Sequence, residues 1–324
     1  MKSILIAIVL LGSKLPLLVA DTNSTAQQLL ISAKQQANLF EDQNRPFELN
    51  VDFVVQMVVP AQGHLTLKWK TNDQWWRRIV MGDFEQVDVR NGEKQYTSRN
   101  LDFTPLRILE LTGLLEFAKG SEGLQVKKQK QRYENGVGLL CLGVEETGSK
   151  EKEEVCVNST SHEILTEEWQ ESPNEKRIRQ YADYFDFGGH RYPRKLQLLL
   201  NGVKAITATV DNLTNATFDQ SLLVAPKGAI ERRHCPHMKP PIAVKTPDPM
   251  YPKSASENKM SGDTTVAMTV LTDGSVTDIH LTGSSGRSLD EATLQTLKGW
   301  RFKPALCGTD PTVSDVKVVV SFVR

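Results

Sequence analysis

Between residues 231 and 252 the chain places proline at six positions: Pro236, Pro240, Pro241, Pro247, Pro249 and Pro252. Each ring holds φ at about −65° and removes a backbone donor, so neither a helix nor an interior strand should run through the stretch. A short semi-rigid linker over 231–248 is the expectation. It divides the 324 residues into an N-terminal domain, 21–230, and a C-terminal domain, 249–324, each long enough to bury a core.

Ahead of the first domain, Lys2, the apolar run Ile4 to Leu11, Pro16 and Val19-Ala20 read as an export signal over 1–20, with the mature chain starting near Asp21. The competing reading is an uncleaved N-terminal membrane anchor. Gly12, Ser13 and Lys14 count against it, because they cut the apolar run short of the roughly 20 residues a bilayer span needs. Export permits disulfides, and the four cysteines form an even set. Cys141 closes the apolar run from Val137, and Cys156 follows a charged loop, so these two can face each other across a hairpin. Cys235 and Cys307 are then left to each other. Lys plus Arg equals Asp plus Glu at 39 each, which removes any electrostatic case for nucleic acid or an anionic membrane surface.

Within the N-terminal domain, Leu29, Leu30, Ala33, Ala37 and Phe40 fall at helical spacing, and so do Leu106, Leu109, Leu111, Leu114, Leu115 and Phe117, up to Gly120. Strand patterns occupy Phe47 to Val59, Leu65 to Lys70, Gln74 to Met81, Gly123 to Arg132, Val137 to Leu142, Glu153 to Val157, Lys176 to Phe187, Arg194 to Leu200 and Lys204 to Leu213. An antiparallel sheet with covering helices follows from this order. Trp69, Trp75 and Trp76, with the Leu-rich helix, are candidates for lining an apolar ligand site; the competing reading is an ordinary core.

In the C-terminal domain, Val266, Met268 and Val270 alternate up to an Asp273-Gly274 turn, and Val276 to Leu281 returns as a hairpin. Ser288 and Glu291 have capping-box spacing ahead of a helix through Leu289, Ala292, Leu294, Leu297 and Trp300. Pro304 ends it, and Val316, Val318, Val320 and Phe322 alternate to the end of the chain. The order is strand, strand, helix, strand, so the whole chain reads as α+β. A strand ending at a chain terminus is readily a sheet edge, and Asp315, Val316, Lys317, Val318, Val319, Val320, Ser321 and Phe322 are the candidate partner-binding edge.

From about Pro249 to Val323 the sequence resembles the TonB C-terminal domain family. Tyr251-Pro252, Gly274 in the turn, Ser284-Ser285-Gly286, Leu289-Asp290 and Trp300-Arg301-Phe302-Lys303-Pro304 carry the resemblance. It implies a ββαβ binding module that pairs with a strand of a TonB-dependent outer-membrane transporter, in the service of energy-dependent uptake. The sequence departs from the full transducer in lacking a dependable anchor and a long Pro-rich spacer. Residues 47–226 resemble, more faintly, the LolA-type lipoprotein carriers, through Gly63 to Lys70 leading into Gln74-Trp75-Trp76-Arg77 and through Gly189-His190-Arg191-Tyr192-Pro193. That likeness implies a curved antiparallel sheet sheltering acyl chains under helices.

His234, Cys235 and His237 invite a metal reading, but no fourth ligand stands nearby and Cys235 is expected in a disulfide. No phosphate loop, nucleophile elbow or zinc-protease motif appears. The expectation is therefore a binding protein with no metal, cofactor or catalytic site, placed in the periplasm or exported, with inner-membrane anchoring as the alternative. A soluble carrier or sensor holding a lipid or lipoprotein acyl chain in its N-terminal domain is the second functional reading. Neither reading specifies an oligomeric state.

Overall fold

The computed structural model describes residues 22–41, 45–56, 59–101, 103–119, 123–146, 152–172, 175–233, 235 and 238–323. The expected export signal, with His234 and His237, lies outside them. The chain is mostly β with few helices.

Helix α1 (Thr22–Ala37) precedes strands β1 (Phe47–Val55), β2 (Ala61–Thr71), β3 (Gln74–Met81), β4 (Phe84–Asn91) and β5 (Lys94–Arg99). After helix α2 (Leu106–Leu115) come β6 (Leu124–Glu134), β7 (Val137–Glu146), β8 (Lys152–Asn158), β9 (Ile164–Ser172), β10 (Glu175–Phe187), β11 (His190–Leu200), β12 (Val203–Asn215) and β13 (Ile230–Arg233). All thirteen form one sheet in the order β13-β5-β4-β3-β2-β1-β12-β11-β10-β9-β8-β7-β6. Every pairing is antiparallel, most of them between consecutive strands joined by tight turns.

Both helices cover one face of this sheet. Leu30, Ala33 and Ala37 of α1 and Ile108, Leu111 and Leu114 of α2 share a core with Phe47, Leu49, Leu65, Ile79, Leu142, Leu196 and Ile206. Period-two alternation produces it, as in β1, where buried and less buried positions alternate from Phe47 to Val55. Strands β4, β5 and β9 were not legible as hydrophobic runs. Charged and polar residues such as Asp88, Thr97 and Glu167 stand at their buried positions.

One such group lies under α1. Lys34 reaches Glu167 at 2.9 Å, Arg179 reaches the same carboxylate at 3.4 Å, and the Tyr181 hydroxyl donates to it at 2.7 Å. Burial alone would raise the Glu167 pKa, but these partners hold it below the usual carboxylate range. Half-buried Glu153, on the neighbouring strand, feels the Lys34 and Arg179 charges more weakly than burial and the Glu167 charge. Burial, and secondarily the Glu167 charge, push it from 4.5 up to about 7.

The second sheet system begins in the proline-rich stretch. Strands at β13 and at β14 (Ile242–Lys245) correct the expectation of 231–248 as a segment without regular structure. Both are four residues long; β13 ends before Pro236 and β14 lies between Pro241 and Pro247, where backbone donors survive. Beyond them come α3 (Lys253–Glu257), β15 (Gly262–Val270), β16 (Val276–Gly283), α4 (Arg287–Leu297), β17 (Arg301–Lys303), β18 (Ala305–Cys307), β19 (Asp310–Thr312) and β20 (Ser314–Phe322). Strand β14 pairs with β17, β18 with β19, and the main sheet runs β16-β15-β20. Disulfides join Cys141 to Cys156 across β7 and β8, and Cys235 to Cys307.

The expected capping box is not used. Gly286 stands at the N-cap of α4 without a side-chain bond, and Ser288 lies inside the helix. Asp290 instead accepts from the Ser285 amide at 3.0 Å. A carboxylate in the first turn reaches back to an amide ahead of the helix, as the glutamate of a capping box would.

Because the folded protein holds a proton on Glu153 that the unfolded chain releases, stability should fall as pH rises from about 4.5 to about 7. Glu153→Gln should remove that loss. Thermal melts should show its midpoint equal to that of the native protein near about pH 4 and above it near about pH 8.

Candidate functional site

Strand β20 forms because β-branched valine fills four of its nine positions and buried or half-buried positions alternate with exposed ones along it. Its inward side chains are shared between two small cores. Val316 and Val318 pack with Val266, Met268, Leu297, Trp300 and Phe302. Val320 and Phe322 pack with Tyr251, Ala255 and Leu289. Asp315, Lys317, Val319 and Ser321 point the other way and are exposed. The strand pairs with β15 from Ser314 to Phe322, and β20 ends the sheet order. Its other backbone edge pairs with no strand among the described residues.

The motif residues hold this strand in place. Gly274 has φ +79°, and a Cβ there would lie 1.9 Å from the Phe302 carbonyl oxygen. The Phe302 amide donates to the Gly274 carbonyl at 2.9 Å. The hairpin turn thus rests directly on the backbone of Arg301–Lys303, which only a glycine permits. Tyr251 meets Phe322 edge to face at 5.7 Å and donates its hydroxyl to the Met260 carbonyl, pinning the end of β20. Pro252 precedes α3, Leu289 is fully buried, and Asp290 also accepts from Thr264 at 3.1 Å. Trp300 donates its indole N–H to the Pro247 carbonyl at 3.1 Å. Pro304 separates β17 from β18.

The start of β20 is tied to the large sheet. Arg77, Gln86, Asp88, Thr97, Arg99 and Arg232 lie on the same face as core residues Ile79 and Phe84, since each is a cross-strand partner of, or two residues from, another. That face is apolar under the helices and polar at its β3-β5-β13 end. The C-terminal sheet lies against the polar end, leaving a cleft of about 420 Å³ between them. Arg99 meets Asp278 at 2.9 Å, with both side chains at least nine-tenths buried. Arg232 reaches Asp315 at 3.2 Å and Thr269 at 3.1 Å, and the Thr269 hydroxyl donates to Asp315 at 2.7 Å. His280 stacks on Phe103 at 5.7 Å.

A bulge aims Asp278 into this contact. Ala267 pairs with His280 and Thr269 with Thr277, so Asp278 and Ile279 together oppose Met268. Asp278 takes φ +58°, a conformation that aspartate tolerates better than most side chains. None of these contacts was legible beforehand, because the pairs between the two sheets join strands far apart in sequence. The bridge from Cys235 to Cys307 and the two bonds between Lys239 and Leu306 fasten the intervening segment to the C-terminal module.

The structure does not bring the three tryptophans into one lining. Trp69 is 1% exposed and stacked on Phe47 at 5.1 Å, and Trp75 sits opposite it on the same face. Trp76, one residue on, points to the other face. Trp69 is a core residue, which favours the ordinary-core reading for it.

Residues 247–323 match the family model described as Gram-negative bacterial TonB protein C-terminal. The solution structure of the Pseudomonas aeruginosa TonB C-terminal domain is 24% identical, covering 27% of this chain and 95% of that one, with a TM-score of 0.24. A LolA superfamily protein from Nitrosomonas europaea is 12% identical over 61% of this chain and 97% of its own, with a TM-score of 0.44. A putative outer membrane lipoprotein-sorting protein domain from Vibrio parahaemolyticus is 10% identical over 60% of this chain and 94% of its own, with a TM-score of 0.42. No curated protein matches the sequence. No helix among the described residues is long and apolar enough to cross a membrane.

Asp278→Asn keeps the backbone conformation and deletes the charge that faces two arginines. Leaving a buried charge without its partner should cost about 3 kcal/mol in denaturant unfolding of the full chain. Asp315→Asn, at an exposed pair, should cost less than about 1 kcal/mol.

Proposed function

We propose that this chain is a non-enzymatic protein of the bacterial envelope that captures a partner along the open edge of β20. The partner is an extended segment of an outer-membrane transporter of the TonB-dependent kind. The observation that carries the reading is a strand at the end of its sheet, with one backbone edge paired and the other without a partner strand among the described residues, inside the region that matches the TonB C-terminal family. Unpaired N–H and C=O groups along such an edge supply affinity, while flanking side chains supply choice. The inward side chains are committed to the two small cores, so strand addition needs no repacking. The N-terminal sheet contacts the outward face of the module at Thr269, Asp278 and Asp315, and therefore does not compete for the backbone edge.

A soluble carrier holding an acyl chain in the N-terminal domain finds less support. The covered face of the large sheet is filled by Leu30, Ile108, Leu111 and Leu114, and the Lys34–Glu167 pair lies within it. The periplasm is the compartment that fits both disulfides and the proposed partner.

Proline scanning separates the two edges, because neighbouring amides in a strand point in opposite directions. Of Val318→Pro and Val319→Pro, one removes a donor from the β15 ladder and the other removes a donor from the open edge. The variant that keeps the native circular-dichroism spectrum and melting midpoint should lose binding of a transporter-derived peptide by at least about tenfold, the cost of one or two backbone hydrogen bonds plus a steric clash. If that variant binds with native affinity, the partner docks elsewhere.

A further inference from the structure

We infer that the segment accepted by β20 carries an acidic side chain opposite Lys317 and an apolar one opposite Val319, and that Arg232 of the N-terminal sheet sets this preference by cancelling Asp315. The inference rests on strand addition at β20 and adds the chemistry of the incoming strand.

Side chains directly opposite each other on paired strands lie about 5 Å apart and interact, so the outward row of β20 is what a new strand would read. That row is Asp315, Lys317, Val319 and Ser321. On the β15 side, the same residues face Thr269, Ala267, Thr265 and Asp263. Lys317 therefore has only a methyl group across from it. The acid of that neighbouring row, Asp263, stands opposite Ser321, four positions along. Lys317 makes no ion pair among the described residues, and its charge is available to the open side.

Asp315 differs. On sequence alone it would place a negative charge two positions from Lys317, and the row would be neutral with no preferred sign. In the folded protein Arg232 donates to the Asp315 carboxylate at 3.2 Å while Thr269 donates at 2.7 Å. The N-terminal domain neutralises one end of the strand and leaves a single positive charge in the middle. Beyond it Val319 is 58% exposed, an apolar surface that an incoming side chain can cover. On the other face of the strand, Val316, Val318 and Val320 are half-buried at the rim of the two cores, so the alternate side chains of the added strand fall on apolar ground. The fitting segment is apolar along one row and acidic then apolar, two residues apart, along the other.

The test uses the full chain and short fluorescent peptides of alternating valine and threonine, in which one central threonine is kept or replaced by glutamate or lysine. The alternating sequence leaves register free, so the charge can find its own place. In anisotropy titrations at low salt the glutamate peptide should bind about fivefold more tightly than the lysine peptide, with the unsubstituted one between, as opposite and like cross-strand charges act in opposite directions. Added salt should shrink the difference. Lys317→Glu, at an exposed site, should keep the native circular-dichroism spectrum and reverse the order. Arg232→Gln should erase the preference by uncovering Asp315, and adding Asp315→Asn should restore it, which distinguishes charge cancellation from loss of structure. Equal binding of all peptides to the native chain, or an order unchanged by Lys317→Glu, overturns the inference and leaves strand addition standing. Binding of none overturns strand addition and the inference with it.

Discussion

The buried pair between Arg99 and Asp278 joins two sheets whose cores are otherwise separate. A guanidinium and a carboxylate removed from water lose several kcal/mol of hydration each, and only close mutual approach offsets that loss. The pair therefore constrains position strictly: β5 must present Arg99 where the bulge of β16 presents Asp278. Arg232, Thr269 and Asp315 build outward from the same place to the surface. A contact of this kind specifies one docking geometry where an apolar interface would tolerate several.

This geometry bears on what the C-terminal module can do. A module on a free tether would present its edge strand in any direction. Here the Cys235–Cys307 bridge, the β14–β17 pairing and the charged contact hold the intervening segment and the first residues of β20 against the rest of the molecule. The open edge keeps a defined orientation relative to the large sheet. The charge displayed along it belongs to both domains, through the Arg232–Asp315 pair.

Inside the module, the residues that carry the family likeness are structural. Gly274 exists because a backbone passes where its side chain would be, Tyr251 because the end of β20 needs a lid, and Asp290 because three donors converge on one carboxylate. Their role is to hold β20 straight and paired on one side. Under the proposed strand addition, contact would fall to the backbone and to the outward row, which contains none of these residues. Lys34, Glu167, Arg179 and Tyr181 are a parallel case in the large sheet, a satisfied buried cluster that reads as polar strand from the sequence and as core in the structure.

The sequence by itself determined the elements whose periodicity is strong. The alternation from Val316 to Phe322, the Asp273-Gly274 hairpin, the helix through Leu289 and Leu297, both disulfides and the helices over the large sheet were all readable, because burial of apolar side chains leaves a period of 2 or 3.6 in any chain. It could not mark β4, β5 or β9, where polar residues fill buried positions, or the short strands β13 and β14 beside the prolines. It also could not show that Trp69 is core while Trp76 faces away, since that depends on which face of β2 and β3 the helices cover. Above all it could not pair Arg99 with Asp278 or Arg232 with Asp315. Those contacts join strands remote in the chain, and a charge carries no periodic signature of its partner; only the packing of one sheet against the other decides which opposite charge it meets.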